Sequence, residues 1–263
     1  MIDAGINARA IAGQWAHNYP DQPDRHSELG SGYGLEAYPN MSRMDWAVEL
    51  FQWFNYYLKD IGDEPEPMVQ IQTNDGRWHV EDTWPPEDMT WNLADIGTDW
   101  TVTGDTVNGQ GASVTLVSGE LTELTHISGL PTLHLEVTTQ ACQGGQIFAT
   151  LYDNEDNLRL GHATMDVRYR DGGYDAKATS PFSSYTMLME FNPLDVVVPA
   201  GHTLRIELTE NGEDYLPSPC ASNPLGGLTV DGGVVGLPII DRPKSHDSWF
   251  LAPPWWDQQP IPE

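Results

Sequence analysis

The sequence predicts a mainly β protein: a β-sandwich of the jelly-roll kind, preceded by a short strand and one amphipathic helix. Beyond Pro67, strand-like runs follow one another. Several alternate cleanly, as in Thr203-Leu-Arg-Ile-Glu-Leu-Thr209, where Leu204, Ile206 and Leu208 share one face. Turn residues (Gly, Asn and Asp) punctuate these runs. Only one helical period appears, between Met44 and Leu58. Many short strands with such turns and no second helix mean a sandwich.

Met1 to Ala12 is too short to be a domain. Ala10-Ile11-Ala12 looks like the end of a buried strand, and a lone strand needs neighbours that the chain does not obviously supply. Gly13 then breaks the run into a turn carrying Trp15, His17, Tyr19 and Pro20. A polar loop from Asn18 to Asn40 follows, and loops of that length in compact domains are usually walls or lids. Ser42-Arg-Met-Asp45 reads as a capping box. From it runs a helix whose apolar residues Met44, Ala47, Val48, Phe51, Phe54 and Leu58 recur at helical spacing and predict a broad buried face. Lys59 to Pro67 is an acidic, proline-bearing linker. The division expected is therefore residues 1–60 and 61–263. Strands are predicted at Met68 to Thr73, Trp78 to Thr83, Ser113 to Val117, Thr132 to Thr139, Gln146 to Tyr152, Leu158 to Arg168, Tyr185 to Phe191, His202 to Thr209 and Gly233 to Ile240. Asp153 to Asn157 could place oxygen ligands at alternate positions. It lacks the central glycine and distant glutamate of a calcium loop, so it reads as a hairpin turn.

Charge is the strongest compositional signal, with 39 acidic residues against 12 basic and a formal net charge of −27. The only lysines are Lys59, Lys177 and Lys244. Such a chain repels nucleic acid and anionic membrane surfaces, so neither is an expected partner. The acids are dispersed rather than gathered in a tail, and with 10 Trp and 10 Tyr the chain has the content of a folded protein. A dispersed acidic surface almost without lysine points to a high-salt environment, where screening removes the self-repulsion. No apolar run approaches the roughly 18 residues of a membrane span, and no basic-then-apolar leader pattern opens the chain. Localisation, cytoplasmic or exported, stays open. Cys142 and Cys220 could form one disulfide or remain two thiols, and their spacing does not decide.

The chemistry is concentrated at His17. A histidine just past a buried strand is where open α/β sheets place their catalytic groups. It is also where the base arrives in hydrolases whose triad follows the order Ser, acid, His. Trp15 and Tyr19 beside it are candidates for the wall of a substrate pocket. No Gly-x-Ser-x-Gly elbow, His-Glu-x-x-His, CxxC pair or phosphate loop occurs in the sequence. No metal and no cofactor are expected. His79, His126, His134, His162 and His202 fall within or beside predicted strands and read as structural.

Gly13-Gln-Trp-Ala-His17 followed by Tyr19-Pro resembles the histidine segment of the X-Pro dipeptidyl-peptidase and cocaine-esterase family of serine hydrolases. Trp53-Phe-Asn-Tyr-Tyr-Leu-Lys59 is similar to that family's "W-F-D-x-x-L-K-G" helix end. Pro67-Met-Val-Gln-Ile-Gln and Gly76-Arg-Trp-His-Val-Glu-Asp-Thr-Trp-Pro85 resemble its crossing into the next domain. The hairpin at Ala149 to Asn157 and the stretch Val198-Pro-Ala-Gly-His-Thr-Leu-Arg-Ile206 look like its C-terminal jelly roll.

The resemblance implies the last strand and helix of an α/β-hydrolase domain (1–60), then a galactose-binding-like jelly roll (61–263). It implies cleavage of a peptide (X-Pro dipeptidyl) or ester/amide bond, with a peptide or ester small molecule as substrate. His17 matches the family's base. The nucleophile and the acid would lie in a missing N-terminal catalytic portion, so this chain alone is expected to be inactive. A homo-oligomer is left open. The competing reading is a non-catalytic β-sandwich module for carbohydrate or a partner domain.

Overall fold

The computed structural model describes residues 7–13, 46–74, 78–81, 83–142, 144–212, 215–241 and 249–250. In chain order the elements are β1 (Arg9–Ala12), α1 (Trp46–Lys59), β2 (Met68–Gln72), β3 (Trp78–Glu81), β4 (Thr90–Asp95), β5 (Thr101–Thr103), β6 (Thr106–Val107), β7 (Val114–Val117), β8 (Thr125–Gly129), β9 (Thr132–Thr139), β10 (Gln146–Asp153), β11 (Leu158–Asp166), β12 (Ser184–Glu190), β13 (Leu194–Val198), β14 (Leu204–Thr209), β15 (Leu228–Ile239) and β16 (Trp249–Phe250). Two compact units form: Met1–Asp88 with Asp195–Val197 and Asp241–Glu263, and Met89–Leu194 with Val198–Ile240.

In the first unit a four-stranded sheet runs β1-β2-β3-β16. β1 pairs with β2 in parallel, from Arg9↔Met68 to Ala12↔Ile71, and β2 pairs with β3 antiparallel. β2 is thus the neighbour that the sequence did not reveal, and its pairing groups residues 61–88 with the first unit. Buried on one side only, β1 alternates between half-buried and exposed residues. The buried strand expected there is an edge strand among the described residues.

The helix α1 ends where Asp60 turns left-handed at φ 56, with its amide on the Tyr56 carbonyl at 3.0 Å. Arg9 of β1 is tied to Glu49 of α1 by an ion pair at 2.9 Å. The predicted apolar stripe is present but points outward: Phe51 is 63% exposed, Leu58 75%, and Val48 and Phe54 are half exposed. The burial that the helical period alone predicts is not found. An apolar face left open near Phe51 and Phe54 is what is expected of this chain without the rest of a catalytic domain. The helix forms by its own periodicity, whereas burial needs a partner surface that the described residues do not provide. The capping box at Ser42–Asp45 lies outside the described residues.

The second unit is a β-sandwich. One sheet runs β11-β10-β14-β7-β5; the other is seven-stranded, β12-β9-β15-β8-β13, with β4 and β6 also on β15. Alternation sets the core. Leu133, Leu135 and Val137 of β9 and Leu204, Ile206 and Leu208 of β14 are all fully buried, each worth about 1.5–3 kcal/mol of transfer free energy. β10 is buried on both faces because it is central, between β11 and β14. Its outward Phe148 stacks on His162 with ring centroids 5.5 Å apart. Cys142 and Cys220 form a disulfide, the pairing that spacing left open.

Several strands had no clear signal. β4 reads Thr-Trp-Asn-Leu-Ala-Asp and is almost wholly exposed, so no apolar alternation marks it. β13 reads Leu-Asp-Val-Val-Val and is buried throughout; its apolar run between Pro193 and Pro199 was the available signal. The strand expected to reach Arg168 stops at Asp166, whose side chain caps a single 3-10 turn by accepting from the Arg168 amide. No helix among the described residues is long and apolar enough to cross a membrane.

Candidate functional site

The structure places the approach to the predicted site rather than the site itself. β1 lies parallel to β2 and ends at Ala12. Gly13 is the last described residue before the turn. His17, Trp15 and Tyr19 all lie outside the described residues, so no geometry is assigned to them. Below β1 the frame is polar and specific. Asn7 Nδ2 donates to Glu64 Oε1 at 3.1 Å and to the Pro65 carbonyl at 2.9 Å. The Tyr57 hydroxyl lies 3.4 Å from the same Glu64 oxygen. These bonds join the strand that leads to His17 to the linker that follows the helix.

Titratable side chains gather elsewhere, at one end of the five-stranded sheet in the second unit. Asp153 closes β10 and is fully buried; His202 Nδ1 stands 2.9 Å from both its carboxylate oxygens. The hairpin turn beyond Asp153 is the one predicted, reversing at Asn157 with φ 51. It clasps the chain entering β14: the Thr203 amide donates to Glu155 Oε2 at 2.6 Å, and Asn154 Nδ2 donates to Thr203 Oγ1 at 3.0 Å. Burial raises the Asp153 carboxyl, and the hydrogen bond and charge of His202 work against that rise. Desolvation pulls His202 down, but Asp153, Asp156 and Glu155 together hold it above its ordinary value.

Ligand atoms of Asp153, Asp156 and His202 lie within 4.8 Å of one another. His202 Nδ1 is already committed to Asp153, so the arrangement is an ion pair that fastens a hairpin. His162, also read as structural, sits among Phe148, Tyr215 and Arg159, with Nε2 3.1 Å from the Tyr215 hydroxyl. The sequence reading missed the Asp153–His202 pair. The two residues are 49 apart in sequence, and only the antiparallel register of β10 on β14 (Asp153↔Leu204) brings them together.

The fold defines the class: a β-sandwich domain joined to a strand–helix segment. Residues 95–224 match the family profile described as the X-Pro dipeptidyl-peptidase C-terminal non-catalytic domain. A protein named as an Xaa-Pro dipeptidyl-peptidase in Bacillus anthracis is 24% identical over 270 residues, covering 91% of this chain and 44% of its own length. Another so named, from Streptomyces avermitilis, is 22% identical over 303 residues, covering 88% and 44%. The chain therefore spans under half the length of these curated relatives.

Solved structures share the fold. An aminopeptidase from the marine sediment archaeon Thaumarchaeota archaeon matches with TM-score 0.58 at 14% identity, over 75% of this chain and 44% of that one. A CocE/NonD family hydrolase from Staphylococcus aureus gives 0.56 at 12% identity, over 77% and 47%. An alpha-amino acid ester hydrolase gives 0.53 at 16% identity, over 88% and 50%. The chain is thus similar to the C-terminal part of these relatives, with residues 95–224 carrying the match to the non-catalytic domain, and its fold is mainly β, a sandwich.

Proposed function

We propose that this chain is the C-terminal part of a serine hydrolase that cleaves X-Pro dipeptidyl peptide bonds, or ester or amide bonds, through an acyl-enzyme. His17 is the base, Trp15 and Tyr19 line the substrate pocket, and residues 1–60 end the catalytic domain that the β-sandwich follows. The nucleophile and the acid come from polypeptide outside these 263 residues. The observation that carries this reading is the parallel pairing of β1 with β2, which ends at Ala12, five residues before His17. An imidazole beyond the carboxyl end of a parallel strand is placed to receive a serine proton and return it to the leaving group. The acid would hold its tautomer.

With no nucleophile and no oxyanion donors, the base alone gives negligible rate, so the isolated chain should not hydrolyse an X-Pro arylamide or a simple ester. The polypeptide extended to the full length of the relatives should. Hydrolysis by the isolated chain, or its absence from the extended protein, would overturn the reading. A second reading, a non-catalytic module for carbohydrate or a partner domain, draws on Trp91, Tyr174 and Phe182 standing exposed on the second unit. It predicts saturable binding of a glycan or partner by the isolated chain, unaffected by replacing His17.

A further inference from the structure

Among the described residues, three that are not glycine stand in the left-handed region: Asp60, Asn157 and Phe182. Aspartate and asparagine tolerate it because their short polar side chains bond locally. For a bulky side chain such as Phe182, at φ 54, the conformation is strained. Phe182 is third in the turn Ser180-Pro181-Phe182-Ser183, and a left-handed residue after proline in a turn is ordinarily glycine or asparagine. The fold gives the ring little in return, since Phe182 is 74% exposed. Stability does not explain a phenylalanine kept in water where glycine would be unstrained.

The turn is fastened from the core side by Thr139, the fully buried last residue of β9. The Thr139 amide donates to the Ser183 carbonyl at 3.1 Å, and its carbonyl accepts from the Phe182 amide at 2.9 Å. Its hydroxyl donates to the Ser180 carbonyl at 2.6 Å and accepts from the Ser183 amide at 3.2 Å. Four bonds to one residue fix the turn, so Phe182 stands out as a preset knob. Beside it, the Tyr185 hydroxyl accepts from the Ser180 amide at 2.8 Å, and the Arg170 guanidinium lies 4.4 Å from the centre of the Tyr185 ring. Aromatic rings with an arginine among them are what interface anchors are made of, and a backbone fixed beforehand loses little entropy on docking.

Charge indicates what docks there. From Asp166 to Met189 acids and bases balance, with Asp166, Asp171 and Asp175 against Arg168, Arg170 and Lys177, whereas the whole chain has 39 acids to 12 bases. Two molecules that each carry −27 repel over most of their surfaces, and a balanced stretch is where they approach with least repulsion. The stretch is also its own complement. Asp171, Asp175 and Lys177 are exposed near Arg170 in sequence, so a two-fold contact matches opposite signs in both directions. We propose that the Phe182 turn anchors a contact between two copies of this chain. Phe182 of each copy packs on the other's turn, with Arg170 and Lys177 facing the other's carboxylates. The contact lies within the second unit and depends on neither functional reading above.

The test is sedimentation velocity of this chain over a range of concentrations, in salt sufficient to screen its net charge. Phe51→Ser and Phe54→Ser are present throughout, so that the exposed face of α1 does not contribute. A reversible monomer–dimer equilibrium is expected. Phe182→Gly should raise the dimer dissociation constant about tenfold or more. At concentrations where the chain is monomeric it should melt no lower than its parent, because glycine relieves the strain and the ring is exposed. Lys177→Glu should weaken the dimer too. Leu93→Ser should leave it unchanged: that leucine is similarly exposed, but on β4, which flanks β15 on the side away from β9 and β12. A chain that stays monomeric, a dimer equally tight in Phe182→Gly, or one loosened as much by Leu93→Ser would overturn the proposal. So would a marked fall in the melting temperature of monomeric Phe182→Gly, which would make the ring part of the fold. If the helix variant does not fold, the comparison of Phe182→Gly with Leu93→Ser on the unaltered helix decides in the same way.

Discussion

His202 shows how a single residue sets the sign of a pH response. Its folded pKa lies above the ordinary histidine value because Asp153, Asp156 and Glu155 surround it, against the pull of desolvation. A group raised on folding contributes stability in full below its unfolded pKa of about 6.5, and that contribution is lost as pH rises through the folded value. Asp153, raised by burial, acts in the same direction at lower pH. The second unit should therefore lose stability on going from mildly acid to mildly alkaline solution. His202→Gln, which keeps a donor but does not titrate, should flatten that slope in melts recorded over a pH series. An unchanged slope would show that the pair does not report on stability.

Among the elements, α1 and the disulfide carry the clearest consequences. The helix presents Phe51, Phe54 and Leu58 to solvent, and a contiguous apolar face of that kind drives self-association unless another surface covers it. Phe51→Ser with Phe54→Ser should reduce light scattering and dye binding by the isolated chain while changing its unfolding free energy by less than about 1 kcal/mol, as for exposed positions generally. Loss of folding in that variant would show that the face is packed after all. Cys142 and Cys220 close a loop with a sequence separation of 78. The chain-entropy account assigns such a crosslink about 4 kcal/mol, so replacing both by Ala should lower the denaturant midpoint, with a raised m-value because the unfolded chain opens further.

How far the sequence could be read also varies by element. Strands with one face in the core, such as β9 and β14, were legible because burial on one side writes a period of two into the residues. The whole of α1 between Trp46 and Leu58 was legible from its 3.6-residue period. β4 was not, since an exposed strand has no apolar face to announce it, and the fully buried β13 has no alternation. The Asp153–His202 pair was illegible for another reason: register between distant strands decides it, and no local pattern records register. His17 is singled out in the sequence by a glycine turn after an apolar run; it lies outside the described residues, so its role rests on that reading alone.

For the whole molecule, charge and length carry the argument. The net charge of −27 is borne by dispersed acids, which repel nucleic acid and anionic membrane surfaces; the proposed substrate is a peptide or ester small molecule. The chain spans 44% of the length of its curated relatives, and on the proposed reading the chemistry is centred near His17 and the β-sandwich follows it. The most direct measurement is kcat/KM for an X-Pro arylamide or ester in the extended protein, wild type against His17→Ala. If His17 is the base of a triad, the variant should fall by about a thousandfold or more, with the fold of the β-sandwich intact. Full activity in that variant would contradict the account.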